Sequence, residues 1–149
     1  MSNRKFSLVT KIMAIFNLGE EGKLHSFFEQ IEKSAKLDIK KLEQNIKKAE
    51  LDYEITMQSL NDNIEDAKQA LDNAYVDIKI EELETNISQK RYMETYLRNI
   101  KDKEQRVESL EQEKKDTIEA FEKSVGEFRK SISTIESRLD KILAEESAE

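Results

Sequence analysis

The chain has 149 residues, 38 % of them charged and 7 % aromatic, with three glycines and neither proline nor cysteine. No cysteine means no disulfide framework and no thiolate metal site, which fits a reducing, cytoplasmic setting, and no apolar run reaches the roughly 18 residues that a membrane span needs. The net charge of −7 is unevenly placed: residues 1–18 hold Arg4, Lys5 and Lys11 and no acid, +3, which leaves −10 for residues 19–149. An acidic body argues against a dedicated nucleic-acid surface, because phosphate binding needs clustered Lys and Arg. Charges of both signs interleaved with a regular apolar period describe long helices, not disorder.

Residues 1–18 read as a short basic amphipathic helix, with Phe6, Val9, Ile12, Met13 and Phe16 apolar among Arg4, Lys5 and Lys11. Such a helix can lie in the headgroup layer of an anionic membrane, its lysines and arginine meeting lipid charge, or dock its apolar face on another helix. Lys11 interrupts the apolar run and no small-residue cleavage site follows, which argues against a secretory signal.

Residues 19–25 hold Gly19 and Gly22 and read as a break. Ser26 with Glu29 then makes a capping box that starts the long helix near Phe27, and His25 reads as a solvated histidine just before it. One histidine without cysteine or a second histidine makes no metal site.

From Phe28 the apolar residues return in steps of three and four, through Ile39, Ile46, Tyr53, Leu60 and Ala67 to Leu71, a mean near 3.6 and so one stripe on one helix. Acid-to-base pairs four residues apart, such as Glu32 with Lys36, support its solvated faces. Asp72–Asp77 gathers turn-favouring and β-branched residues and is the expected reversal, with a second candidate reversal near 99–102.

A second stripe, weaker in the middle, strengthens over Phe121, Val125, Phe128, Ile132, Ile135, Leu139 and Ile142, with Gly126 inside it where a neighbouring helix could come close. The tail 144–149 reads as acidic and frayed. A reversal at 72–77 leaves the second arm about 27 Å longer than the first at 1.5 Å per residue, and the expected cover for that apolar overhang is residues 4–18. The fold class is therefore all-α: residues 26–143 form a long antiparallel helical hairpin or coiled coil, preceded by a short N-terminal amphipathic helix.

No catalytic, cofactor-binding or metal-ligating motif is present, and no small-molecule substrate is implied. Carboxylates line the helices, but a pair becomes acid and base only where a pocket desolvates one of them. The layout is similar in outline to membrane-remodelling proteins of the phage-shock type, although no motif aligns residue by residue. The sequence thus points to a non-enzymatic coiled-coil protein that self-associates, as a homo-oligomer or with a helical protein partner, and presents residues 4–16 to a membrane surface or that partner. The alternative is an assembly factor of phage or secretion type, a scaffold or chaperone, or an inhibitor, which binds another protein through its helices.

Overall fold

A computed structural model describes residues 21–84 and 90–148, with side chains described for 24–82 and 93–147. Two helices make up the described chain, α1 (Glu21–Glu84) and α2 (Lys90–Ala148), and they pair antiparallel as a hairpin. Every position of the first stripe from Phe28 to Leu71 is buried or half-buried.

The hairpin divides into two compact units, one built from α1 up to Lys48 with α2 from Val125, the other from Ala49–Ser124. In the Ala49–Ser124 unit the stripe of α1 steps three and four in alternation from Met57 through Leu60, Ile64, Ala67, Leu71 and Ala74 to Ile78. On α2 the same alternation runs from Met93 through Tyr96, Ile100, Lys103, Val107 and Leu110 to Lys114. A mean of about 3.5 residues per step, seven per pair of steps, is the coiled-coil repeat, which keeps two stripes in register over many turns. Leu60, Ile64 and Leu110 form one buried cluster, with Met57 and Ala67 against it. Ala74, Ile78 and Ile100 form another, flanked by Leu71, Met93 and Tyr96.

The unit of residues up to Lys48 and from Val125 is built alike, with Phe28, Val125 and Leu139 buried. Ile31 and Ala35 of α1 and Ile135, Leu139 and Ile142 of α2 line one shallow open furrow beside its seam.

The reversal does not fall at 72–77. Those residues are helical, and α1 runs on to Glu84. Ala74 and Ile78 continue the three-and-four stepping and are buried, while Asp72, Asn73 and Asp77 point to solvent. Burial of the continuing stripe outweighs turn-favouring side chains that cost only tenths of a kcal/mol each in a helix. α2 begins at Lys90, and residues 85–89 between the helices lie outside the described residues. Residues 99–102 likewise lie within α2, where Ile100 is buried and Asp102 exposed.

α1 starts at Glu21, ahead of Ser26, so Ser26 and His25 sit inside the helix and not at its cap. α2 continues to Ala148, and no 27 Å overhang remains, because α1 and α2 are 64 and 59 residues long. Among the described residues nothing lies within 4 Å of where a Cβ at Gly126 would stand.

These positions set two stability outcomes. Leu110, 2 % exposed, should lose about 3 kcal/mol on Leu110→Ala in urea unfolding, as buried leucines do. Gly126→Ala should gain about 0.5–1 kcal/mol, because alanine lowers the backbone entropy lost in a helix and meets no neighbour. A loss at Gly126→Ala would mean that something packs there.

Candidate interaction surfaces

The seam buries no polar or charged side chain among the described residues, so its specificity comes from groups along its edges. In the Ala49–Ser124 unit Tyr53 stacks on Phe121, ring centroids 4.0 Å apart at 9°. Such an offset pair adds about 0.5–1.5 kcal/mol to the area it buries. Lys68 pairs with Glu111 at 3.3 Å, and the Tyr75 hydroxyl donates to Glu104. In the other unit His25 meets Glu146 at 3.0 Å and Glu29, one turn along α1, at 3.5 Å. Glu32 and Lys36 form the 2.8 Å pair that their four-residue spacing calls for.

The polar pairs are exposed or half-buried at the edges, so each is worth little alone. Together with the Tyr53 stack they fix which residues face each other: 25 with 146, 53 with 121, 68 with 111, 75 with 104. Lys103 and Lys114 occupy seam positions and are half-buried, their aliphatic stems lying along the apolar stripe.

Phe121, Val125, Phe128, Ile132, Ile135, Leu139 and Ile142 are all buried or half-buried. Where their facing partners are seen, those belong to α1: Tyr53 stacks on Phe121, and Ile31 and Ala35 share a furrow with Ile135, Leu139 and Ile142. The stripe expected to receive the N-terminal helix is therefore a face of the hairpin seam. Arg4, Lys5, Phe6, Val9, Lys11, Ile12, Met13 and Phe16 lie outside the described residues.

Sequence reasoning missed the apolar residues on the outer side of the hairpin. Leu51 and Ile55 on α1 are 61 % and 69 % exposed, and Leu37, Val76 and Ile80 are exposed too. Leu37 and Ile55 are eighteen residues apart, five turns at 3.6 per turn, so they share one face. That spacing was visible in the sequence, but the dominant stripe absorbed attention. Leu97 is exposed as well; the seam of α2 passes through Tyr96 instead.

Among the described residues no group of three or more His, Asp or Glu is placed to hold a metal ion, and no helix is long and apolar enough to cross a membrane. Comparison with protein-family models, with curated proteins and with solved structures gives no match.

The Tyr75 hydroxyl is held above its ordinary pKa of 10.0, first by its hydrogen bond to Glu104, then by desolvation and by the negative charges of Glu104 and Asp72. A raised pKa means that this contact stabilises the hairpin below pH 10.0 and is lost as pH rises through the raised value. Absorbance titration of phenolate, with Tyr75→Phe identifying the Tyr75 component, should give a midpoint above 10.0 that moves down on Glu104→Gln. An unmoved midpoint would remove Glu104 as the cause.

Proposed function

We propose that this chain is a non-enzymatic coiled-coil protein that self-associates and presents residues 1–18, as a basic amphipathic helix, to an anionic membrane surface. The observation that carries this reading is the pairing of α1 along α2. Phe121 and the Ile135–Ile142 part of the second stripe meet α1, at Tyr53 and in the furrow with Ile31 and Ala35, which supports giving the apolar side chains of residues 6–16 a surface outside the hairpin. Arg4, Lys5 and Lys11 beside those side chains suit a layer that is apolar below and negatively charged above.

A second reading is favoured by the exposed Val76 and Ile80 on α1. In it the hairpin is an assembly factor, a scaffold, chaperone or inhibitor that takes a helix of another protein against its acidic outer side.

Flotation with anionic phospholipid vesicles separates the two. The membrane reading requires co-flotation that is lost on combined Lys5→Glu and Lys11→Glu and weakened by salt, because each basic residue near such a surface contributes about 1 kcal/mol. Protein that stays at the bottom of the gradient as a soluble oligomer would remove the membrane reading in favour of the assembly factor.

A further inference from the structure

The outer face of α1 is built in three parts. At its centre stand Leu51 and Ile55, two large apolar side chains one turn apart and mostly exposed. On the N-terminal side, residues 33–48 carry six lysines and two acids; on the C-terminal side, residues 50–66 carry six acids and no base. α1 is one continuous helix, Glu21–Glu84, so its own period decides which of these share a face. Lys40, Lys48, Leu51, Ile55, Asp62 and Asp66 fall on the side away from the seam, and all six are exposed.

α2 does not neutralise this polarity. In the Ala49–Ser124 unit, where Tyr53 meets Phe121 and Leu60 meets Leu110, residues 108–124 add six acids and three bases to an already acidic stretch of α1. In the other unit, residues 125–141 add four bases and three acids beside the basic stretch. A helix half basic and half acidic about an apolar pair is complementary to itself turned end for end.

We infer that two copies of the chain pair antiparallel through this face of α1, about a two-fold axis between Leu51 and Ile55. Placing Leu51 of one copy against Ile55 of the other brings Lys40 beside Glu65 and Lys41 beside Asp66 of the second copy, and the two-fold repeats each pair. This is an isologous interface, the commonest form of homodimer. Its apolar centre excludes water from four side chains and its charged arms set orientation and register. A parallel pairing would place lysines against lysines and acids against acids, and is disfavoured by that repulsion. The area is that of two single helix faces, at the low end of specific interfaces, so the dimer is reversible and sensitive to salt.

This inference deepens the proposed function and rests on its self-association; it leaves residues 1–18 of both copies free for a membrane. Sedimentation equilibrium of the full chain tests it with a charge swap at exposed positions. One variant carries Lys40→Glu and Lys41→Glu, the other Glu65→Lys and Asp66→Lys. Each alone should dimerise at least about tenfold more weakly than the native chain, since both copies of every pair become like-charged. An equimolar mixture should regain the native affinity as a heterodimer, because every pair is then opposite in charge. Circular dichroism confirms that each variant keeps its helix content.

Leu51→Gln with Ile55→Gln should also weaken the dimer, and the native dimer should weaken on raising salt from about 0.05 to 0.5 M. Variants that dimerise as the native chain does, or a mixture that shows no recovery, would overturn this face and leave self-association standing. A native chain that is monomeric at about 100 µM, well above the Kd expected of a specific interface, would overturn both. Vesicle flotation of the same variants, unchanged at Lys5 and Lys11, reads the membrane part separately.

Discussion

The structure depends on one constraint: each helix carries a single stripe wide enough to bury, and two helices can satisfy each other only by laying stripe on stripe along their whole length. The described residues form two helices and no third layer, and burial among them is shallow. Phe28 and Leu110 are among its best-covered side chains, at 3 % and 2 % exposure, yet most seam positions remain half-buried. Stability comes from many modest contacts in series, and few single ones dominate. Long helices tolerate this because local propensity is high and no proline interrupts them.

That constraint also explains why polar groups matter at the edges. An alternating three-and-four stripe would fit its partner equally well when slipped by seven residues, since the apolar period repeats. The edge pairs Lys68–Glu111 and Tyr75–Glu104 are satisfied in one register. Tyr53 on Phe121 adds a shape that smaller neighbours do not reproduce. The apolar stripe holds the arms together, and these few groups select their alignment.

Much of this was legible in the sequence. The all-helical class, the hairpin and every seam position of α1 from Phe28 to Leu71 follow from counting apolar steps. The reversal was misplaced because local turn preference at Asp72, Asn73 and Asp77 was weighed without the next two steps, Ala74 and Ile78. Alanine is a weak apolar signal although the structure buries it as deeply as leucine. With α1 running on to Glu84, the apparent overhang disappears. The outer face of α1 was overlooked for a different reason: Leu51 and Ile55 form an isolated pair, and their meaning appears only when the lysines before them and the acids after them are read on the same helical face.

The register of the hairpin, on which the seam and the outer face both rest, is open to a direct measurement in a chain with no cysteine of its own. Ala74→Cys combined with Ile100→Cys places two thiols at positions that pack together in one buried cluster across the hairpin, as a disulfide requires. Under dilute oxidising conditions this pair should close a disulfide within one chain, seen as a monomer of altered mobility on a non-reducing gel. Asn45→Cys with Glu104→Cys, the pair that a reversal at 72–77 would bring together, should not. Closure of the second pair in preference to the first would contradict the hairpin described here.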